Sequence, residues 1–440
     1  MKGEKEMEFQ TLKKNYLKRN ILIGAVIVAI ISACILSFTR AKYRITQNIK
    51  IAEGTINYSL ADLNIVAIYV DNVEVETLPV GNYELTNKSY CTVNNERDDS
   101  INLSYDNNTQ TLNISPMENK GTKCYLYFDE LSCAEEACNT ILANKTIASR
   151  TDFSTTLSGD TTGIIYYENT SKGRTYYFAG NPSDNWVNFA GFYWRIIRIN
   201  EDESIRMIYA GTDPNITTGT GIQLSNTSSF NSSYNDNMYV GLKYTSGQVH
   251  GTGTDSTILT ALNEWYSTNL NDYGDAIDEN VGFCGDRTPS TSPSSSNGSG
   301  GTGTTSTYYG GYIRLYVNKM PTFECSDEDL FTTSGSGEGN ASLLYPIGLI
   351  SMDEAWYAGG YSSNNMDYYL YTGENYWSMT PFYFDSSLVY PARTFFVDSN
   401  GSLGDGWVAF SFGVRPVINL RADINLTGDG TTISPYKIAS

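Results

Sequence analysis

The longest uninterrupted apolar run in the chain lies close to the N-terminus, at residues 21–38 (ILIGAVIVAIISACILSF). As a helix, this uncharged run would rise about 27 Å, close to the thickness of the hydrocarbon core of a bilayer. Basic residues flank it on both sides and are slightly more numerous before it, which favours a cytoplasmic N-terminus. The pattern therefore predicts a cytoplasmic tail at 1–20 and a single-pass transmembrane anchor at 21–39. A secretory signal cleaved near Thr39-Arg40-Ala41 is the alternative, and with either interpretation the bulk of the chain is extracellular.

Beyond the anchor, apolar and polar residues alternate in short runs separated by turn residues. The runs read LNIVAIYV, YELTNKSYCTV, SINLSY, TLNISP and TKCYLYF. Alternation with a period of two is typical of strands that bury one face, so residues 40–128 are predicted to form a small, sandwich-like all-β stalk domain. At 129–149 the apolar spacing becomes nearly helical, and this segment is predicted to be a connector helix.

Residues 150–440 mix both patterns and are predicted to form one large domain. The runs WVNFAGFYWRIIRI and IRMIYAG, joined by a polar turn, predict a hairpin covered on both faces. Helices are predicted over 255–270, with Asp255 as N-cap, and over 351–358. FFVDSNGSL predicts two short strands around a turn, and Pro416 predicts the start or the edge of a final strand.

Composition changes this picture at one segment and at the cysteines. Residues 288–307 contain no charged and no large apolar residue, so they are predicted to be a flexible insertion. Six of the seven cysteines follow the predicted anchor, and an even number in an exported chain predicts disulfides. The sequence leaves their connectivity open, and nearest-neighbour pairing is our hypothesis: Cys91 with Cys124, Cys133 with Cys138, and Cys284 with Cys325. The second pair requires Cys133 to precede the helix, because cysteines five residues apart in one helix are too distant to bridge.

Charge excludes several classes of function. Residues 1–50 hold 10 basic and 3 acidic residues, which leaves 19 basic against 45 acidic residues in the remainder. Such an acidic exterior repels nucleic acid and anionic head groups, so we expect neither as a partner beyond the membrane span at 21–38. His250 is the single histidine, which excludes His-rich zinc sites and HExxH hydrolysis, and its loop predicts a solvated side chain.

Three segments near the C-terminus carry a family resemblance: Tyr376-Trp377-Ser378-Met379, Phe396-Val397-Asp398-Ser399-Asn400-Gly401 and Gly413-Val414-Arg415-Pro416-Val417. Together they resemble the end of a C-type-lectin-like domain, in the branch that contains formylglycine-generating enzymes and the receptor-binding proteins of diversity-generating retroelements. The run FAGFYWRIIRI at 189–199 resembles the opening of such domains in membrane-anchored surface proteins of Gram-positive gut bacteria. The resemblance covers most of 150–440 and implies an α+β fold with a C-type-lectin-like C-terminal domain.

Departures from the family limit what the resemblance implies. The Glu-Pro-Asn, Gln-Pro-Asp and Trp-Asn-Asp motifs of calcium-dependent lectins are missing, and the last cysteine is Cys325, whereas the oxidase branch needs a C-terminal cysteine pair. We therefore assign no catalytic residue, no metal ligand and no cofactor. Calcium stays open as an alternative, because the strings at 398–401 and 423–430 are rich in oxygen ligands but lack a full loop pattern.

In the retroelement group, the resemblance implies that exposed residues between the Trp segment and the final strand contact the ligand. Here these candidates are Tyr383, Asp385, Tyr390, Arg393, Asp398, Asn400, Asp405 and Trp407. Tyr and Trp interspersed with Asn, Ser and Gly are also what adaptable paratopes use. The sequence thus predicts a cell-surface protein whose head binds an extracellular protein or carbohydrate and is not an enzyme. An enzyme on the formylglycine-generating-enzyme-like scaffold and a structural envelope protein are the alternatives, and Arg415 is expected to brace the last strand.

Overall fold

The computed structural model describes residues 47–51, 54–58, 64–79, 81–106, 110–116, 121–291 and 300–439, with the backbone alone for the first two ranges. The predicted tail at 1–20 and anchor at 21–39 lie outside these residues. Of the helices that the structure does describe, none combines the length and the apolar composition that crossing a bilayer requires. The chain divides into two compact units between Glu130 and Leu131.

The described part of the first unit is built from strands. These are β1 (Gln47–Ile51), β2 (Gly54–Tyr58), β3 (Asn64–Val70), β4 (Val73–Val75), β5 (Tyr83–Leu85), β6 (Tyr90–Val93), β7 (Glu96–Arg97), β8 (Asn102–Asp106), β9 (Thr111–Ser115) and β10 (Lys123–Glu130). They form two sheets with the strand orders β1-β2-β9-β8 and β4-β3-β10-β6-β7, and β5 also pairs with β10.

The alternation seen in the sequence becomes the core of this unit. Cys124, Leu126 and Phe128 of β10 are buried, while the residues between them are half-exposed. They pack with Leu112 of β9, which belongs to the other sheet, so the apolar core lies between the two sheets. The Cys91–Cys124 disulfide joins residues that face each other on β6 and β10.

The second unit combines helices and strands. Its helical segments in the described residues are α1 (Glu136–Leu142), α2 (Thr257–Asn269), α3 (Met352–Tyr357), turns of 3₁₀-helix at Thr220–Ile222, Asn237–Val240 and Asn271–Ala276, and a π-helix at Tyr312–Asn318. Its strands are β11 (Thr146–Ser149), β12 (Ile164–Thr170), β13 (Gly173–Tyr177), β14 (Trp186–Phe189), β15 (Phe192–Ile199), β16 (Ile205–Tyr209), β17 (Ser228–Ser229), β18 (Lys243–Tyr244), β19 (Thr254–Asp255), β20 (Phe283–Cys284), β21 (Thr307–Tyr308), β22 (Leu330–Phe331), β23 (Tyr376–Phe384), β24 (Ala392–Val397), β25 (Leu403–Trp407), β26 (Ser411–Phe412), β27 (Val417–Leu420), β28 (Leu426–Thr427) and β29 (Lys437–Ile438).

Two larger sheets organise this unit. One has the order β11-β12-β13-β15-β16-β27, with β14 paired to β15, and the other has the order β21-β23-β24-β25. The predicted hairpin is confirmed, because β15 pairs antiparallel with β16 and both strands are buried along most of their length. The strand predicted at Pro416 is β27, which begins directly after this residue, and the two-residue strands β28 and β29 follow it. Arg415 is buried and its Nε donates to the Tyr209 carbonyl at 3.0 Å, so it braces this strand as predicted.

The helix predictions differ from the structure in one cap. Helix α3 is confirmed, with Ser351 and Glu354 forming a reciprocal capping box. Helix α2 is confirmed as well, but the N-cap is Ser256, whose Oγ accepts from the Leu259 amide at 3.3 Å. Asp255 instead ends β19, which pairs with β18. Its carboxylate pairs with Lys243 at 2.5 Å and accepts from Asn263 Nδ2 of α2 at 3.1 Å, so it contacts the helix without capping it.

The predicted connector helix at 129–149 is wrong in length and role. Helix α1 spans only Glu136–Leu142, because the disulfide holds Cys133 outside it and Asn144 takes a left-handed φ of 62° just after it. The β-branched residues that follow form β11, which pairs with β12. Since Ile141 and other α1 residues lie in the core of the second unit, α1 is part of that unit and does not link two domains.

The flexible insertion predicted at 288–307 is wrong at both flanks, and 292–299 lies outside the described residues. The Ser290 amide donates to the Tyr308 carbonyl at 2.8 Å, and the Gly301 amide donates to Thr307 Oγ1 at 3.0 Å. Strand β21 pairs with β23. The backbone of this segment therefore has hydrogen-bond partners that its low-complexity sequence does not predict. The remaining disulfides join Cys133 to Cys138 and Cys284 to Cys325, so all three bridges are nearest-neighbour pairs.

Candidate functional site

One face of the β21-β23-β24-β25 sheet carries a row of aromatic and charged side chains. In the strand register, Tyr308 faces Tyr383, Tyr383 faces Arg393, and Arg393 faces Trp407. Directly opposed residues on neighbouring strands point to the same side of a sheet. Each of the four strands therefore contributes one side chain to the row, and all four side chains are partly exposed.

Arg393 stands at the centre of this row. Its guanidinium forms an ion pair with Asp405, which lies two residues before Trp407 and so on the same face. The same guanidinium lies 5.5 Å from the ring centroid of Tyr383 and 5.4 Å from that of Trp407, within the range of cation–π attraction. Because it has one carboxylate and two rings as neighbours, the Arg393 side chain is held in one place.

An apolar cluster lies at the end of the row beside Trp407. The Tyr390 ring stacks on Trp407 with centroids 3.9 Å apart, and the Phe410 ring stacks on Trp407 at 4.7 Å. Next to Tyr390 in the loop between β23 and β24, Leu388 is 40% and Val389 is 81% exposed to solvent. We use the name aromatic surface for the set Tyr308, Tyr383, Leu388, Val389, Tyr390, Arg393, Asp405, Trp407 and Phe410.

Three titratable groups in or beside the aromatic surface have shifted pKa values. Burial raises the pKa of both Tyr308 and Tyr383, so their phenols stay protonated. At the edge of the surface, the Ser387 hydroxyl and amide donate to the Asp385 carboxylate and lower its pKa, so that it stays charged. The surface therefore presents neutral rings, one guanidinium and two carboxylates.

The other part of this sheet face is covered. Phe395 shares the face of Arg393, but the Tyr316 ring stacks on it with centroids 5.6 Å apart. The Tyr316 hydroxyl also donates to the Leu403 carbonyl on β25. Both contacts come from the π-helix at Tyr312–Asn318, which therefore closes this half of the face. Its Tyr312 ring also contacts Tyr308, with centroids 4.7 Å apart, so the open part of the row is Tyr383, Arg393 and Trp407.

Two buried carboxylates hold the π-helix in place. Arg314 donates to Asp353 through Nε at 2.7 Å and through Nη2 at 2.6 Å, and its Nη2 lies 2.6 Å from Asp286 Oδ2. Burial raises the pKa of Asp286 to about 6, although the Arg314 charge works against this rise. Burial alone would lower the pKa of Arg314, yet the coulombic attraction of Asp353 and Asp286 leaves it raised.

The structure separates the eight residues predicted from the sequence into two groups. Tyr383, Tyr390, Arg393, Asp405 and Trp407 come together in the aromatic surface, and Asp385 lies at its edge.

Asp398 and Asn400 lie in the turn at the opposite end of the β24–β25 hairpin. The Asn400 amide donates to Asp398 Oδ1 at 3.1 Å, and the Ser402 amide donates to Asn400 Oδ1 at 2.9 Å. Their side-chain oxygens thus close the turn.

Sequence reasoning missed four members of the surface, namely Tyr308, Leu388, Val389 and Phe410. Leu388 and Val389 carried a signal, because two adjacent aliphatic residues stand in an otherwise polar turn. Tyr308 carried none, since it joins the surface only through the pairing of β21 with β23.

Two of the cavities in the described part of the second unit lie away from the aromatic surface. One, of about 420 Å³, is lined by Lys172, Arg198, Glu201, Glu338 and Cys325 among others, and its charges pair with each other, Lys172 with Glu338 at 2.6 Å and Arg198 with Glu201 at 3.2 Å.

The other, of about 470 Å³, is lined in part by His250. This histidine is not solvated as predicted: its Nδ1 lies 3.0 Å from Asp329 Oδ1, and its side chain is 24% exposed. Burial of Asp329 beside the loop explains the difference, because the carboxylate gives the imidazole a polar partner inside the protein.

Potential metal ligands converge at one point in the described part of the chain, where Cys133, Cys138 and Glu203 lie close together. Both sulfurs are joined in a disulfide, and Glu203 accepts from the amides of Ala134 and Glu135 at 2.8 and 2.6 Å. The group therefore offers no thiolate, and its carboxylate already accepts hydrogen bonds from two backbone amides.

The oxygen-rich strings considered for calcium are also engaged within the protein. Asp398 accepts in its own turn, Asp423 pairs with Arg421 at 2.6 Å, and Asp429 accepts from the Thr431 hydroxyl at 2.7 Å.

Comparison of the chain with protein-family models, with curated proteins and with solved structures found no match. The residues of the site therefore carry the functional interpretation.

Proposed function

We propose that this protein is a single-pass, membrane-anchored cell-surface protein whose C-terminal head, a C-type-lectin-like domain, binds an extracellular protein or carbohydrate. The observation that carries the proposal is the aromatic surface, where Val389, Leu388 and Phe410 are exposed beside Trp407 and Arg393. Exposed apolar patches on soluble domains mark interaction sites, and Trp, Tyr and Arg are the residues that dominate binding energy.

The support around the surface suits binding by complementarity. Five of its residues stand on paired strands, and stacking restricts the rings of Tyr390 and Trp407 before a ligand arrives. Side chains that are already ordered lose little conformational entropy on association. The three disulfides favour an oxidising compartment, which agrees with export past an anchor at residues 21–38.

The test is a binding screen with the full chain in lipid nanodiscs, against a glycan array and an array of extracellular proteins. We expect Trp407→Ala to weaken binding of any retained ligand by roughly 30-fold, the effect of removing one binding hot spot. Tyr273→Ala is the matched control, because Tyr273 is an aromatic residue that is 43% exposed and lies outside the aromatic surface. Equal losses in both variants, or none in either, would refute the proposal for this surface.

The location of the head has its own test. Protease added to intact cells that express the chain is expected to remove the C-terminal unit, because it would lie outside the membrane. Complete protection on intact cells, with cleavage only after lysis, would contradict the proposed topology.

A further inference from the structure

We infer that the aromatic surface takes a protein, in the form of an apolar protrusion flanked by basic side chains, and does not take a carbohydrate. This inference rests on the proposed function and names the ligand class of the same site. Three properties of the surface support it: the contacts that its rings already make, the ion pairs and hydrogen bonds of its charged groups, and its net charge.

The ring faces are already occupied. A sugar packs its C–H face flat against the face of an aromatic ring, so it needs one open ring face. Trp407 is stacked between Tyr390 and Phe410, with interplanar angles of 22° and 20°. Arg393 and Tyr308 contact the ring of Tyr383. What the surface offers is ring edges and the exposed side chains of Leu388, Val389 and Phe410, which suit apolar side chains of a protein.

The charged groups of the surface are engaged within the protein. Arg393 and Asp405 pair with each other, and Asp385 accepts from the Ser387 amide and hydroxyl at 3.0 and 2.7 Å. A sugar hydroxyl needs directional partners that are free to bond to it, since each hydroxyl leaves water on binding. Contacts to Val389, which is 81% exposed, need no such partner. An apolar protrusion therefore gains more from this surface than a carbohydrate does.

The net charge of the surface determines which charge the partner should carry beside its apolar protrusion. The aromatic surface and its edge carry two carboxylates, those of Asp405 and Asp385, and a single guanidinium, that of Arg393, so a negative charge is left over. Residues 131–440 as a whole hold 15 basic and 32 acidic residues. Association with a basic partner is accelerated by this field, and the acceleration decreases as salt screens it.

The experiment uses the full chain in lipid nanodiscs and two probes in parallel, a phage-displayed library of disulfide-constrained random peptides and a glycan array. We expect the library to yield peptides that combine aliphatic or aromatic residues with Lys or Arg. Val389→Asp is expected to weaken the selected peptides roughly tenfold or more, because it introduces a charge among the apolar contacts. Ile433→Asp is the matched control, since Ile433 is also an exposed β-branched residue and is 95% exposed. Phe410→Ala is a second test variant that removes contact area without adding charge.

The possible outcomes distinguish a failure of this inference from a failure of the proposed function. Glycan binding that is lost in Trp407→Ala would overturn the inference and leave the proposed function standing. Peptides that bind Val389→Asp and Phe410→Ala as tightly as the parent protein would also overturn the inference. Retention of neither probe would overturn both. An unchanged midpoint of urea unfolding in each variant shows that the unit is folded. Tryptophan fluorescence follows this unfolding, because all six tryptophans lie in residues 131–440 and five of them remain in Trp407→Ala.

Discussion

The open and the covered halves of one sheet face use the same kinds of residue for different purposes. In the open half, Tyr383, Arg393 and Trp407 stand partly exposed on neighbouring strands. In the covered half, Phe395 lies on the same face but is buried beneath Tyr316 of the π-helix. Residue type therefore does not separate a binding surface from a core here. The difference lies in the π-helix and in the buried ion pairs that hold it.

The largest effect is expected from breaking those ion pairs. Arg314→Met leaves Asp353 and Asp286 buried with no cation between them, which we expect to destabilise the second unit by about 3 kcal/mol or more. Urea unfolding followed by tryptophan fluorescence measures it. Arg421→Met is the control, because that arginine pairs with Asp423 in solvent, and we expect no measurable shift in its unfolding midpoint. Equal midpoints for the two variants would show that the ion pairs do not hold the covered half.

The next effect depends on pH. Because burial raises the pKa of Asp286 from 3.8 to about 6, the folded state binds this proton more tightly than the unfolded state does. The stability that this group contributes is therefore complete below about pH 4 and is lost as the pH rises through about 6. We expect Asp286→Asn, which is always neutral, to be about 3 kcal/mol more stable than the parent at pH 7 and nearly equal to it at pH 4.

Unfolding at the two pH values checks this sign. Arg314, Asp353 and Asp329 are the charged groups that act on Asp286, and none of them changes in the variant. Asp385→Asn should behave in the opposite way, because hydrogen bonds from Ser387 lower the pKa of Asp385 and its stabilising contribution appears as the pH rises. A variant Asp286→Asn that is less stable than the parent at pH 7 would mean that the attraction to Arg314 outweighs the cost of burial.

A smaller effect is expected in the open half. A double-mutant cycle of Arg393→Ala and Asp405→Ala should give a coupling energy of about 1 kcal/mol, since both side chains are roughly three-quarters buried and face each other. The exposed pair Lys172 and Glu338 should give no measurable coupling in the same experiment. A coupling energy between Arg393 and Asp405 as large as the destabilisation caused by Arg314→Met would mean that ion pairs stabilise the open and the covered half to the same extent.

The smallest effect is expected at the most exposed residue. Val389→Asp should change the free energy of unfolding by no more than about 0.5 kcal/mol, because the side chain makes few contacts in the folded protein. Thermal unfolding of this variant beside the parent tests it. A large loss of stability would show that Val389 supports the fold. Its packing within the protein, and not contact with a partner, would then explain the residue.

Several features of the fold were predictable because their causes are local. The capping box of Ser351 and Glu354 spans three residues, and the β15–β16 hairpin needs only a polar turn between two apolar strands. Predictions were wrong where a distant partner intervened. Pairing with β18 placed Asp255 in a strand and left the cap of α2 to Ser256, and pairing with β23 ordered the end of the Thr- and Gly-rich segment.

The candidate site divides in the same way. The sequence by itself determined which residue types are concentrated between the Trp377 segment and β27, because composition and turn preferences are local properties of a sequence. Only the tertiary structure decided that Arg393 and Trp407 share an open face with Tyr308 while Asp398 and Asn400 close a turn at the far end of the hairpin. The physical reason is that exposure and hydrogen-bond use depend on which strands pair and what covers them, and these contacts join residues far apart in the chain.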